Sequence, residues 1–225
     1  MRTLLPVLCT SGLAVEARIA RAAGFQAIVA AGDPQRAVTA VAAAARQATC
    51  LVSFGVAGGL APHLAAGDVI LSTEVIAEGR RWRADPQFDG QMADLAGRVG
   101  ATRGAVLGAS RILATEQDKR QAWRNTGALA VDLESAIVAR AAVAAGIPFV
   151  VLRTIADPAR RALPPAALIP LAADGTPAVG RVLQELVRRP RQIAALFALA
   201  RETRRALGAL SGPARALRLT FAEAP

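Results

Sequence analysis

Short apolar runs alternate with amphipathic helical patterns along most of the chain. Gly24, Gly127 and Gly146 stand where three of the helical patterns would end, as glycines at helix C-termini commonly do. The alternation predicts an α/β fold: a single-domain three-layer αβα sandwich around a mostly parallel, mixed central sheet. The predicted strands are residues 4–10, 26–31, 50–55, 68–76, 104–109, 128–132 and 148–156, and the predicted helices are 13–23, 34–47, 134–145 and one from Thr115 to about Gly127.

The carboxyl-terminal fifth of the chain has a different pattern. From residue 180 it is helical to about residue 210, with a break at Pro190, so we divide the chain into a domain over 1–180 and a basic helical extension over 181–225. Residues 181–225 contain nine Arg and three Glu, which is +6 of the net charge of +10. An apolar stripe along this extension either packs on its own domain or contacts the surface of a membrane. Its members are Ile193, Leu196, Phe197, Ala200 and Leu207.

Composition excludes several classes of protein. A chain of 225 residues with 53% hydrophobic content can bury a substantial core, and 4% aromatic residues without Tyr argue against a nucleic-acid partner. Two Cys and one His do not make a zinc site, and we predict no metal and no cofactor. Residues 47–67 carry no charge, but four glycines and Pro62 there argue against a membrane span, and we predict a cytoplasmic protein.

Two acids stand where apolar runs end, which is where α/β folds build their sites. Asp157 precedes Pro158, and a carboxyl group there either donates a proton to a leaving group or only forms a strand-end turn. Glu134 either accepts hydrogen bonds from vicinal hydroxyls or only stabilises the start of a helix, and Asp132 competes for the same role. Arg153, four residues before Asp157, is expected to lie deeper and to orient one of the acids.

A glycine-rich segment, Gly55-Val56-Ala57-Gly58-Gly59, follows the third predicted strand. It lacks the spacing of the dinucleotide fingerprint, which argues against a nicotinamide enzyme. We predict a turn whose backbone N–H groups could hold an anion or a ribose. His63, which follows this segment, is predicted to lie on the surface rather than to act as a base.

Together, residues 53–62, Gly67-Asp68-Val69-Ile70, residues 131–135 and residues 151–157 resemble the nucleoside phosphorylase/nucleosidase superfamily. The most similar branch is the methylthioadenosine/S-adenosylhomocysteine nucleosidase type. Within the superfamily the chain most resembles hopanoid-associated phosphorylases, because of residues 163–167 and the Arg-rich helical end. The resemblance implies phosphorolytic release of adenine from a 5′-substituted adenosine with an apolar 5′ group, namely adenosylhopane in hopanoid biosynthesis. It also implies a homodimer.

The resemblance also implies a role for each matching residue. Asp157 would donate a proton or hydrogen bond to purine N7, and Glu134 with Leu133 would hold the ribose. Glu16 would position the attacking water. The nucleophile side would be formed by small or backbone-presenting residues, namely Gly12, Gly32, Val56, Ala57 and Gly58.

Departures from the family pattern leave the nucleophile open. Val56 stands where many relatives have a hydroxyl residue, Leu133 replaces a usual Met, and Arg111 stands near where nucleosidases stack an aromatic residue on adenine. Inorganic phosphate as co-substrate would need Arg18, Arg36, Arg111 or backbone groups, so phosphorolysis is expected from the resemblance alone. The alternatives are hydrolysis, as in the methylthioadenosine/S-adenosylhomocysteine nucleosidases, and a non-catalytic nucleoside-binding protein. All catalytic readings require Glu134 and Asp157 to approach one N-glycosidic bond.

Overall fold

The computed structural model describes residues 6–30, 34–84, 86–170, 172 and 174–223. The first two residues of the first predicted strand, and Gly32 and Asp33 at the predicted start of a helix, lie outside the described residues. Eight strands are present in this part of the chain: β1 Val7–Ser11, β2 Gln26–Val29, β3 Cys50–Gly59, β4 Val69–Ala77, β5 Arg80–Arg83, β6 Thr102–Gly108, β7 Ala130–Asp132 and β8 Phe149–Asp157.

The strands form one mixed sheet in which most neighbours are parallel. β3 pairs with β1, β7 and β8, and β4 pairs with β5, β6 and β8. Because β6 also pairs with β7, the five strands β3, β8, β4, β6 and β7 close into a ring, and β1 and β2 extend the sheet beyond β3. The predicted class is confirmed, and the closure of the sheet is a feature that the apolar pattern did not reveal.

Helices cover both faces of this sheet. On one face α2 and α5 pack over a core that includes Val41, Leu51 and Val151, and on the other α1, α3 and α7 enclose Phe54, Leu152 and Leu210. The buried thiols of Cys9 and Cys50 belong to the second core, as expected for small apolar side chains. The α-helices are α1 Ala14–Ala22, α2 Pro34–Ala45, α3 Asp89–Val99, α4 Glu116–Thr126, α5 Ser135–Ala145, α6 Val179–Arg188 and α7 Ile193–Glu223.

Three predicted segments differ from the structure. The predicted glycine turn is wrong, because Gly55–Gly59 continues β3 and pairs with both β7 and β8. The polar stretch between two predicted strands contains a strand, β5, and a helix, α3. The terminal helix runs to Glu223 instead of about residue 210, and its second half is packed through Ala206, Leu210, Ala214 and Leu217.

Candidate active site

Strand β3 connects the two parts of the candidate site. Gly55 pairs with Arg153 of β8, and Gly58 pairs with Asp157. A bulge at Ala156 shifts the register between these pairs, so Arg153 and Asp157 do not keep the simple alternation of a regular strand. At about 3.3 Å per residue, Gly55 and Gly58 are roughly 10 Å apart along the strand. One charged cluster lies at each of these positions.

The cluster beside Gly55 is centred on Arg153, which is completely buried. Its Nε lies 2.7 Å from Asp132 Oδ2, and its Nη2 donates to Ser53 Oγ at 2.6 Å and to Glu134 Oε2 at 3.3 Å. Nη1 is buried and has no hydrogen-bond partner among the described residues. Arg153 therefore holds two carboxylates together in the interior of the protein.

Asp132 and Glu134, the two candidates for the acid that contacts the substrate, differ in their hydrogen bonds and in the exposure of their side chains. Asp132 accepts a hydrogen bond from the Ser135 backbone N–H at 3.0 Å and another from the Ser135 hydroxyl, and its side chain is 2% exposed. The side chain of Glu134 is 17% exposed, so a ligand can reach it more readily. Asp132 organises the start of α5, and Glu134 is the better candidate to contact a substrate.

Gly12 and Glu134 are in close contact. A Cβ atom placed on Gly12 would lie 2.5 Å from Glu134 Oε1, which explains why glycine is needed at this point of the loop between β1 and α1. The contact brings the predicted nucleophile side and the predicted ribose-binding acid together. Gly175 packs over the same loop, where its carbonyl accepts a hydrogen bond from Ala14 N–H at 3.2 Å.

Glu16 joins the same cluster from helix α1. It is 2% exposed, and its carboxylate accepts hydrogen bonds from the backbone N–H groups of Leu13 at 2.8 Å and Val56 at 2.7 Å. The carboxylate lies against Gly55, which has φ of +152° and no room for a side chain. Two backbone donors that could have held an anion are therefore already bound to a carboxylate of the protein itself.

Three carboxylates and one guanidinium share the cluster at Gly55, and their protonation reflects this imbalance. Burial raises the pKa of Glu134 to about 7. The Arg153 guanidinium lowers this pKa, but the nearby charges of Asp132 and Glu16 raise it. Burial also raises the pKa of Glu16, against the opposing effects of Arg153 and of the backbone N–H groups of Val56, Leu13 and Gly12. Near neutral pH the cluster can accept a proton, and that proton belongs to the cluster as a whole.

The second cluster, beside Gly58, pairs Asp157 with Lys119 of α4. Lys119 Nζ lies 2.5 Å from Asp157 Oδ2 and also donates to the backbone carbonyls of Asp157, Pro158 and Arg161 at 3.3, 3.1 and 2.9 Å. Burial raises the pKa of Asp157, and the Lys119 ammonium opposes this shift. The Asp157 side chain keeps 13% exposure, while Lys119 has none. Lys119 thus fixes the strand-end turn and the acid while leaving the acid accessible.

Lys119 was not recognised in the sequence as a functional residue. It lies 38 positions before Asp157 and occupies a helix that is otherwise mostly polar and exposed. One signal was available: it is the single lysine among 27 basic residues. Its helix was correctly predicted, since Thr115 caps α4 by accepting a hydrogen bond from Asp118 N–H.

The remaining predicted residues divide between the site and the surface. Val56, Ala57 and Gly58 lie on the β3 segment between the two clusters, and Leu133 is 39% exposed next to Glu134. Arg111 is not part of either cluster, because its side chain is 66% exposed and pairs with Asp118. His63 is exposed, as predicted.

The comparisons with known proteins agree with this fold. A family model described as the phosphorylase superfamily matches residues 5–198. No curated protein matches the sequence. The chain is similar in structure to the 5′-methylthioadenosine/S-adenosylhomocysteine nucleosidase of Neisseria meningitidis, solved with methylthio-immucillin-A, at 17% identity and a TM-score of 0.68 over 96% of this chain and 99% of that one.

Two further structures have the same fold. The nucleosidase of Helicobacter pylori, solved with butyl-thio-DADMe-Immucillin-A, is 13% identical with a TM-score of 0.68, covering 99% of this chain and 100% of that one. The S-adenosylhomocysteine nucleosidase of Streptococcus pyogenes, solved with 5-methylthiotubericidin, is 17% identical with a TM-score of 0.65, covering 95% and 97%. At these identities the comparisons establish the fold.

Proposed function

Because this chain belongs to the phosphorylase superfamily, we propose that it cleaves the N-glycosidic bond of a 5′-substituted adenosine and releases adenine. The observation that carries the proposal is the placement of two partly accessible acids, Glu134 and Asp157, beside one short segment of β3. A nucleoside lying along this segment would present its sugar to one acid and its base to the other.

Asp157 is assigned to the leaving base. Its pKa is raised by burial, which favours the protonated form that can donate to purine N7 as the bond to the sugar breaks. The nearby ammonium of Lys119 would stabilise the electrons that collect on adenine. The turn that carries the acid is fixed by Lys119, so the donor is held in position before the substrate arrives.

Glu134 is assigned to the ribose. Its carboxylate can accept hydrogen bonds from two vicinal hydroxyls, and its negative charge would stabilise positive charge that develops on the sugar. Leu133 provides an exposed apolar side chain next to it. The Arg153 contact keeps Glu134 oriented toward Gly12 and the β3 segment.

The electrostatics of the Gly55 cluster favour water over phosphate as the nucleophile. A phosphate would have to approach three carboxylates and one guanidinium, and two of the backbone donors nearby are occupied by Glu16. Water needs no such charge compensation, and a cluster that can accept a proton near neutral pH suits the activation of water. Glu16, whose carboxylate lies at Val56 N–H, is the group proposed to position it.

Phosphorolysis is the second candidate, and its substrate would be adenosylhopane. It is supported by the resemblance to hopanoid-associated phosphorylases. The apolar 5′ group and a homodimeric assembly are likewise proposed from that resemblance. A cytoplasmic location stays a prediction.

The test is adenine release from three adenosines, with a 5′-hydroxyl, a 5′-methylthio group and a long 5′-alkyl chain, in phosphate and in phosphate-free buffer. Rates independent of phosphate and a free reducing sugar support hydrolysis, whereas phosphate dependence and a sugar 1-phosphate support phosphorolysis. A folded protein that binds these adenosines without releasing adenine would establish a binding protein instead.

Asp157→Asn tests the assignment of the acid. We expect turnover to fall at least about 100-fold, since the amide cannot donate the proton. Asp94→Asn is the matched control, because Asp94 is exposed on α3, away from both clusters. Equal activity of the two variants would contradict the role of Asp157.

A further inference from the structure

Helix α6 presents a continuous apolar face to solvent. Val179, Leu183 and Val187 follow one another at intervals of four residues and are 62%, 58% and 83% exposed. Phe197, one turn into α7, is 70% exposed. These four residues, together with Ile193, are called the apolar face below. Side chains at i and i+4 lie on one side of a helix, so the three residues of α6 form a single stripe.

Other residues of the same region attach it to the rest of the protein. Gln192 is buried at the corner between α6 and α7, where its Nε2 donates to the Glu185 carbonyl at 3.1 Å and its Oε1 accepts from Ala166 N–H at 2.9 Å. The corner is therefore fastened to the short helix Pro165–Leu168. The apolar face is held outward by this attachment.

Basic residues occupy the other side of α6 and the corner that follows it. Arg181 and Arg188 lie at helical positions opposite the stripe of Val179, Leu183 and Val187, and Arg189 and Arg191 lie at the corner. Residues 179–200 contain four Arg and one Glu, and that acid, Glu185, lies 3.4 Å from Arg189. A cavity of about 570 Å³ opens beside the corner and is lined by Arg188, Arg189 and Arg191 with Pro165, Pro190 and Gln192. Guanidinium groups that line an open cavity suit a phosphate group at the surface of a lipid layer.

The charge also decides between a lipid surface and a second copy of the chain. A symmetric dimer through this face would bring two copies of residues 179–200 together, each with a net charge of +3. The repulsion between these like charges opposes association. A surface of anionic phospholipids supplies the complementary charge and accepts the apolar side chains between its head groups. Within the described residues no helix is long and apolar enough to cross a membrane.

We propose that α6 and the first two turns of α7 form a docking surface for an anionic bilayer. Val179, Leu183, Val187 and Phe197 enter the interface. The long side chains of Arg181 and Arg188, on the polar side of α6, and of Arg191 at the corner reach the lipid phosphates. From the sequence, a membrane contact was predicted somewhere within residues 181–225. The structure restricts the candidate segment to its first part, because the second half of α7 is packed against the sheet. The proposal is independent of the reaction catalysed.

The docking surface adjoins the candidate active site along the chain. Val179 follows Gly175 by four residues, and Gly175 packs against the loop of Gly12 and Ala14. Binding at a bilayer would therefore place the nucleophile side of the site near the lipid surface. An enzyme whose substrate has a long apolar 5′ group would benefit from this arrangement.

The test is flotation of the full chain with vesicles of phosphatidylcholine alone or mixed with phosphatidylglycerol. We expect binding to the mixed vesicles only, weakened by salt. The double variant Leu183→Gln/Val187→Gln should reduce the bound fraction at least about tenfold, and Arg188→Gln/Arg191→Gln should do the same. All four side chains are exposed, so folding should be retained.

Matched controls use exposed residues elsewhere. Val143→Gln/Leu219→Gln removes two exposed apolar side chains, and Arg120→Gln/Arg124→Gln removes two exposed charges. Equal loss of binding in test and control variants would overturn the proposal, as would absence of binding by the unaltered chain. A dimer in sedimentation experiments that only Leu183→Gln/Val187→Gln dissociates, without vesicle binding, would show that a second copy covers the face.

Discussion

Replacing Lys119 by Met isolates the electrostatic role of the buried ammonium. Met keeps an unbranched side chain in a position with no exposure, but it removes the charge 2.5 Å from Asp157 Oδ2. Burial already raises the pKa of Asp157, and Lys119 is the group that opposes this shift. We expect the pKa of Asp157 to rise further in the variant.

The size of the effect on stability follows from the cost of an unpaired buried charge. Removing one partner of a buried ion pair costs about 3–5 kcal/mol of the free energy of unfolding. Because Asp157 keeps some contact with solvent, we expect the lower end of this range, about 3 kcal/mol, at a pH where Asp157 is ionised. A raised pKa in the folded state adds stability at low pH that is lost as the pH rises through that pKa. Lys119→Met should therefore unfold more readily at high pH than at low pH.

The assay is the pH dependence of kcat/KM for adenine release. If Asp157 acts as a protonated donor, the alkaline limb of the profile should move to higher pH in Lys119→Met. Glu202→Gln should move it in the opposite direction, because the charge of Glu202 raises the pKa of Asp157. Lys119→Arg, which keeps the charge, serves as the control. A folded Lys119→Met variant with an unshifted limb would refute this account of the pair.

Three further predictions concern the cluster at Gly55. In the unaltered protein the free energy of unfolding should fall by up to about 3 kcal/mol between pH 4.5 and about 7, because the raised pKa of Glu134 makes the folded state bind an extra proton over this range. This decrease should be absent from Glu134→Gln, and urea unfolding at several pH values measures it. Gly12→Ala should raise KM about tenfold, because its Cβ would displace Glu134, whereas Gly90→Ala on α3 has open space and should leave KM unchanged. Arg153→Met should lower the free energy of unfolding by about 3–5 kcal/mol, because it leaves the carboxylates without a counter-charge, and the loss should be larger at high pH than at low pH. Denaturant unfolding at both pH values measures the loss, and an equal loss at the two would contradict this prediction.

The strand ends that carry the acids could be predicted from local pattern. One apolar run stops at Asp157, before a proline, and another stops at Asp132. Each stop lies within a few residues of the end of a strand in the structure. The segment Gly55–Gly59 could not be predicted in the same way, because its glycines normally indicate a turn. Here they allow Glu16 and Asp157 to approach the strand closely while its backbone pairs on both sides.

The electrostatic partners of the acids depend on tertiary structure. Arg153 shares a strand with Asp157, yet it pairs with Asp132 and Glu134, because β7 is antiparallel to β3 and the bulge at Ala156 separates the two positions. Lys119 reaches Asp157 from a different element. Helix α3 was missed although Met92, Leu95, Ala96 and Val99 have helical spacing, because polar residues dominate the stretch around them.

The two clusters give the β3 segment an asymmetric charge that suits cleavage of an N-glycosidic bond. At Gly55 the carboxylates outnumber the guanidinium three to one, so this end stays negative even after it accepts one proton. At Gly58 one carboxylate faces one ammonium, so protonation of Asp157 leaves this end positive. When the bond breaks, positive charge develops on the sugar and negative charge on the base, and each would form at the end of opposite sign. The field of the folded chain is thus aligned with the charge separation before a substrate binds, and reversing it at either end should slow the bond-breaking step more than it weakens binding.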